Sequence, residues 1–389
     1  MIRKFVPLAA LAAFALGTSA CTSNKAVAPT TTVTTTNSTA VSNTATSTTL
    51  PAGGVTADGI SPERCDQNKK AGKLTYLTSF DFSASVSILD VIVAKDKGFF
   101  EKMCLDVDIK PGQAPANEQQ VASGAAQFSS GGSLGEIVNT NVQSNTNIVA
   151  LVQYGKTAIE ELLVKPESGI KQITDLKGKT MGVKGDIPYS IQTMLGKFDV
   201  KRSDFKELAL NTYDPVEHFG LALDALPVYK SNEPAKLDAK GIKYVVFNPL
   251  DYDIPSSFGM LYTSNSFLND HPSAAQDFAR AAIHGFEYAQ EHPEEAVKLS
   301  VDRINANGNK AYLSLAGETF RWQTESKIVK DSTPKDQPIG AIDTAKAEAE
   351  IAALTKAGVF KTKPEISSMM APGVVEGIYD GLVLIWPSK

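Results

Sequence analysis

The chain has 389 residues and a formal net charge of −5, with 42% hydrophobic and 21% charged residues. That length and hydrophobic share suit a globular chain with ample core and exclude a wholly disordered one. The mild acidic balance gives no clustered positive charge of the kind a nucleic-acid partner requires.

Arg3 and Lys4 precede an apolar run over 5–16, followed by Gly17, Thr18, Ser19, Ala20 and then Cys21. The run is too short to span a bilayer as a helix, and its flanks are those of a signal peptide over 1–20. A cysteine directly after small residues is similar to a bacterial lipobox. Cys21 is therefore the expected lipidation site, and the chain is expected outside the cytoplasm, anchored to the bacterial cell membrane by lipid. Residues 21–59 are mostly Thr, Ser, Ala, Val and Asn with almost no charge. Such a stretch cannot bury enough apolar surface to fold and predicts a flexible tether. No later stretch is apolar enough to cross a membrane.

Two cysteines remain, Cys65 and Cys104. In an oxidising compartment an even pair invites a disulfide, against two separate thiols or pairing with another chain. Neither has His neighbours or CxxC spacing, so no metal is expected.

From residue 73 the pattern alternates strands and helices. Strands are expected over 73–78 and 105–109, with a helix over 84–97 whose apolar residues recur at helical spacing. A short helix around 117–122 leads to Gln127-Phe128 and a glycine-serine turn over 129–133, and a further helix begins at Leu134. Strands follow at 147–154, 160–164, 179–183, 205–210, 221–229, 243–247 and 259–264, with helices between them. From Asp270 the composition turns helical, and Ala274, Ala275, Phe278, Ala281, Ala282, Phe286 and Ala289 share one face. Further helices are expected over 294–305, 310–323 and 342–356. The alternation predicts an α/β fold with mostly parallel sheets in two lobes. Residues 60–162 open the first lobe, 163–257 form the second, and 258–389 return to the first, giving two interlobe crossings. Ligands of such folds bind between the lobes, and closure is a hinge motion.

Residues 221–241, LALDALPVYKSNEPAKLDAKG, read as strand, polar turn and helix start, with Pro234 in a first turn where its missing N–H is no loss. That geometry points side chains and N–H groups into a crevice. Glu233 is the candidate acceptor from an amino group, with Tyr229 and Asn232 as neighbours. A second candidate is the turn carrying Ser130, Gly131, Gly132 and Ser133, whose glycines permit close backbone approach to a ligand anion or carbonyl. Gly185, before another helix, offers a similar turn, although Asp186 beside it repels an anion. Ser257 lies just before a returning strand, on the hinge side of the cleft. His218, His271, His284 and His292 are scattered without a triad order, and Trp322 and Trp386 read as core. No glycine spacing is followed by the Lys-Ser/Thr of a P-loop.

Several stretches together resemble one family: AKDKGFFEKMCLDVDIKPG, the polar turn after QF, ELLVKPESGIKQITDLKGKTMGV and DALPVYKSNEPAKL. These span residues 74–293 and are similar to the solute-binding proteins of ABC importers for thiamine-pyrimidine precursors, sulfonates and nitrate. The resemblance implies a type II periplasmic-binding-protein fold. It also implies a small ligand, a thiamine-pyrimidine precursor or related heterocycle first among the candidates, an ABC permease with its ATPase as partners, and a monomer. It places a polar residue and a stacking aromatic after the first strand, at Asp81 and Phe82, against a capping Asp and a core Phe. It favours Glu233 as a ligand contact, to an amino group or a protonated ring nitrogen, against a first-turn acid that suits the helix dipole. The alternative within the same resemblance is a thiamine-pyrimidine precursor synthase. Such enzymes carry a lysine and a histidine at the turn corresponding to 126–138 and a cysteine-rich iron segment. Here the turn is AQFSSGGSLGEIV, so the resemblance implies binding without catalysis and without a cofactor.

Overall fold

A computed structural model describes residues 53–309 and 313–388, all within one compact unit over 46–389. The expected signal peptide, the lipidation cysteine Cys21 and most of the expected tether lie outside the described residues. The last part of that tether stretch folds. Strands Val55–Thr56 and Gly59–Ile60 pair as a hairpin, with Val55 buried in the core. The C-terminal Ser388 N–H donates to Ala57 O at 3.0 Å, a long-range contact that local composition does not encode.

Ten strands form two five-stranded sheets. The first runs in the order Asp106–Lys110, Lys73–Leu77, Phe128–Gly131, Phe258–Ser264, Ile148–Gly155. The second runs Val245–Phe247, Glu160–Val164, Ala225–Tyr229, Thr180–Val183, Lys206–Ala209. The chain passes from the first to the second sheet between Gly155 and Glu160 and returns between Tyr252 and Phe258. Each sheet has two parallel and two antiparallel pairings, so the sheets are mixed rather than mostly parallel. The reason lies in the crossings. A returning helix forces parallel pairing, but Glu160–Val164 and Phe258–Ser264 each arrive straight from the other lobe and enter against their neighbours.

The apolar face read from Asp270 onward belongs to the helix Pro272–Glu291, whose seven expected core residues are fully buried. Phe278 stacks on Phe128 of the central strand at 3.8 Å between ring centroids, joining the helix to the first sheet. Burying a phenylalanine in this way contributes about 1.5–3 kcal/mol. Trp322 is buried and donates its indole N–H to Ala289 O at 3.1 Å, while Trp386 is half-buried and stacks on His284. The second lobe has its own core around Leu162, Met181, Ile191 and Met194. Cys65 and Cys104 are joined by a disulfide, with Cα atoms 5.3 Å apart.

Several elements differ from the sequence pattern; the helix expected over 310–323 spans Leu315–Ser332 and the strand expected over 221–229 spans Ala225–Tyr229. The helix expected over 84–97 spans Leu89–Asp96. Its first residues are pulled into an irregular segment, because Ala84 N–H donates to Glu318 at 2.6 Å and Val86 N–H to Glu325 at 2.9 Å. The turn expected over 129–133 is a strand up to Gly131, since Ser129, Ser130 and Gly131 pair with Tyr262, Leu261 and Met260.

Candidate functional site

A cavity of about 520 Å³ opens between the two sheets, within the 300–1,000 Å³ range of small-molecule sites. The first lobe contributes Phe80, the segment Ser85-Val86-Ser87, Glu118, Gly131, Gly132 and Glu136; the second contributes Lys184, Asp186, Tyr189, Tyr213, Tyr229 and Glu233. Phe80 and Tyr213 meet edge to face with centroids 5.9 Å apart, one ring from each lobe. A flat ligand between the lobes has aromatic surface within reach on both sides.

The turn after Ala225–Tyr229 places Glu233 at the first position of the helix Glu233–Ala239, 1% exposed. One carboxylate oxygen accepts from Lys184 Nζ, and the other accepts the Tyr229 N–H at 2.9 Å. Burial by itself would raise this carboxyl, but the Lys184 ammonium and the backbone donors outweigh it and hold it below the usual range. Glu233 is thus a buried anion with a partner on each oxygen. Tyr229, although 38% exposed, faces the cavity, and Asn232 accepts from Arg321 at 3.3 Å.

The helix Leu315–Ser332 ties the two lobes together behind the cavity. Glu325 accepts from Ser231 of the second lobe at 2.7 Å and from Val86 N–H of the first. Arg321 pairs with Glu318 at 3.2 Å. Ser87 has φ +68° in the segment these two glutamates hold, a backbone conformation uncommon outside glycine.

Opposite Glu233, the first-lobe wall is acidic. Glu118 is buried and accepts from Thr140 Oγ1; burial pushes its carboxyl up to about 7. Glu136 accepts the Gly132 N–H at 3.1 Å. Burial first, and then the neighbouring Glu160 and Glu118, push its carboxyl up to about 8. The start of the helix Leu134–Ser144 has its donors taken: Leu134 N–H by Ser257 Oγ at 2.8 Å, Gly135 N–H by Glu350 at 3.0 Å and Glu136 N–H by Ser133 Oγ at 3.3 Å.

Of the residues singled out in the sequence, Gly131, Gly132, Tyr229, Asn232 and Glu233 line the cavity together. The others do not. Phe82 is 4% exposed in the hydrophobic core, and its neighbour Phe80 faces the cavity instead. Asp81 turns away with φ +47° and accepts from Phe82 N–H at 2.8 Å and Asn309 N–H at 2.5 Å. Ser130 is buried among Tyr76 and Ser79, at 2.9 and 3.1 Å. Ser133 and Ser257 cap the helix just described. Gly185 has φ +75° and lies between two lining residues, Lys184 and Asp186, without lining the cavity itself. The glycine-serine turn thus spends its donors inside the protein. A Cβ at Gly132 would sit 2.5 Å from Glu136 Oε1, so the glycine makes room for a carboxylate. Glu118, Glu136, Lys184, Tyr213 and Arg321 were not legible as site residues. Glu136 stands three residues after Ser133, which reads as an ordinary capping pattern. Among the described residues no group of three His, Cys, Asp or Glu side chains is placed to hold a metal, and no helix is long and apolar enough to cross a membrane.

Comparison with known proteins adds the following. A family described as NMT1/THI5 like matches residues 86–296. A Haemophilus influenzae protein named for thiamine biosynthesis is 26% identical over 210 residues, 53% of this chain and 66% of the relative. The chain therefore spans about two thirds of that relative's length. A formylaminopyrimidine-binding protein of Halalkalibacterium halodurans is 24% identical over 259 residues, 64% of this chain and 76% of the relative. Among solved structures, the aliphatic sulphonate binding protein SsuA of Escherichia coli superposes with a TM-score of 0.56 at 14% identity, covering 77% of this chain and 92% of that one. The desulfurization enzyme DszB in complex with biphenyl-2-sulfinic acid superposes with a TM-score of 0.53 at 14% identity, covering 78% of this chain and 97% of that one. These structural likenesses show the fold, that of periplasmic binding proteins, which carries both receptors and an enzyme.

Proposed function

Because the chain belongs to the NMT1/THI5-like family, we propose that it is the solute receptor of an ABC-type importer, held outside the cell by a lipid on Cys21. It closes its lobes over a small amino-bearing heterocycle of the thiamine-pyrimidine-precursor kind and hands it unaltered to a membrane permease. The observation that carries this reading is the cavity bounded by both lobes. It pairs an aromatic ring from each side with a buried, ionised Glu233 that accepts hydrogen bonds. A carboxylate in that position suits an exocyclic amino group, and the two rings suit a planar partner. Binding without turnover is supported by the turn 126–138, which has neither the lysine nor the histidine of the enzyme alternative.

Purified protein should release a bound heterocycle identifiable by mass spectrometry. Adding that compound back should raise the melting temperature without changing the compound. A product appearing in that mixture, or no stabilisation by any pyrimidine, flavin, sulfonate or nitrate tested, would refute the receptor reading. The anchor is checked separately by loss of fatty-acid labelling in Cys21→Ala.

A further inference from the structure

Five carboxylates line the cavity, Glu118, Glu136, Asp186, Glu233 and Glu325, against two basic side chains, Lys184 and Arg321. Both bases are engaged, Lys184 with Glu233 and Arg321 with Glu318 and Asn232. Asp186 is paired with Arg202 at 2.6 Å, and Glu325 accepts from Ser231 and Val86. Glu118 and Glu136 differ from these three. Neither has a basic partner among the described residues, and one oxygen of each has no hydrogen bond there. Glu118 is nevertheless 5% exposed. Neither unpaired oxygen is sealed from solvent, so a donor on a ligand in the cavity can reach it. The donors an anion would need at this wall are absent for a separate reason. The N–H groups of Leu134, Gly135 and Glu136, which make a helix start attractive to anions, already serve Ser257, Glu350 and Ser133.

We propose that the ligand is a cation, a planar heterocycle whose protonated amine sits against Glu118 and Glu136 while its ring packs against the cavity-facing surface of Phe80 and Tyr213. This rests on the receptor reading and adds the ligand's charge and orientation. The groups around the acid pair are Glu350; Thr140 and Asn139, on the same helix as Glu136; and Glu160 and Tyr189 from the second lobe. None of these is basic. Burial raises both carboxyls, and at Glu136 the neighbouring Glu160 and Glu118 add to the rise, so acids crowd this wall and an arriving ammonium relieves the crowding without having to displace a fixed cation. A sulfonate or nitrate would instead meet an excess of acids, with both lining bases already engaged and the N–H groups of the helix start taken.

The test uses three pyrimidines with one 4-amino-2-methyl ring and different 5-substituents: aminomethyl (cationic), hydroxymethyl (neutral) and carboxylate (anionic). Calorimetry on the wild-type protein should give the aminomethyl compound at least about tenfold tighter binding than the hydroxymethyl one, and no detectable carboxylate binding. In Glu118→Gln and in Glu136→Gln the cation-over-neutral ratio should fall several-fold. If the hydroxymethyl or carboxylate compound binds as tightly as the aminomethyl one, the charge assignment is wrong and the receptor reading survives. If none binds to protein folded by circular dichroism, the receptor reading for this ligand class fails with it. The wild-type series decides the matter even where a glutamine variant does not fold.

Discussion

Lys184→Met isolates the buried ion pair at the cavity. Methionine keeps most of the lysine stem and removes the ammonium, leaving Glu233 with backbone N–H donors only. The side chains are 17% and 2% exposed, so water replaces little of what is lost. Stranding one member of a buried pair costs about 3–5 kcal/mol. Glu233 can escape part of that by taking up a proton, which at pH 7 costs about 3 kcal/mol for a carboxyl whose ordinary value is near 4.5. The expected loss is therefore about 3 kcal/mol. At roughly 2 cal/mol/K of unfolding entropy per residue, a unit of this size should melt about 4 °C lower. The sign of the pH dependence follows from the lowered carboxyl of Glu233. Its contribution is present above the unfolded value and lost as pH falls through the lower folded value. The melting deficit should therefore be largest at pH 7 and close below about pH 4. The double variant Lys184→Met/Glu233→Gln, with no charge left to strand, should recover much of the loss. Equal melting temperatures of wild type and Lys184→Met at pH 7 would refute the reasoning. So would a deficit that stays constant down to pH 4, which would mean lost packing instead.

The acid wall predicts the opposite trend at higher pH. The carboxyls of Glu118, Glu136 and Glu350 lie at about 7, 8 and 7 in the folded protein against 4.5 when free. Their contribution is complete below the unfolded value and is lost as pH rises through the folded ones, so the ligand-free protein should melt higher at about pH 5.5 than at about pH 8. Glu136→Gln should flatten that slope, and an unchanged slope would count against the acid pair. The two neighbouring phenylalanines should separate binding from stability. Phe82→Ala should cost about 3–5 kcal/mol of stability measured by urea denaturation, whereas Phe80→Ala should weaken ligand binding about tenfold with little change in the denaturation midpoint. Reversed effects would mean the cavity is misassigned. Cys65→Ser/Cys104→Ser opens a loop of 39 residues and should lower stability by about 4 kcal/mol on chain-entropy grounds, with reductant having no further effect on the variant.

Much of the architecture can be read directly from the residues, because period and punctuation are local properties. The apolar face of Pro272–Glu291, the strand and polar turn before Glu233, and the resemblance carried by DLKGK and NEP all sit in contiguous stretches. Glu233 could be singled out because it opens a helix straight after a strand, where a first-turn acid also suits the helix dipole and the resemblance favours a ligand contact. What the chain order hides is which of two adjacent side chains turns inward. Phe80 and Phe82 differ only in how the segment between them bends, and Asp81 at φ +47° holds that bend by accepting from its neighbour Phe82 and from Asn309, which is distant in sequence. The glycine-serine turn misleads for the same reason. Its local chemistry suits an anion, but Ser257 and Glu350, brought back by the return crossing and a C-terminal helix, take the donors first. The acid wall exists only because Glu118 and Glu136, on separate helices, are folded against one cavity. Local pattern sets backbone shape, while desolvation and charge pairing depend on neighbours distant in sequence, and only the tertiary fold chooses those.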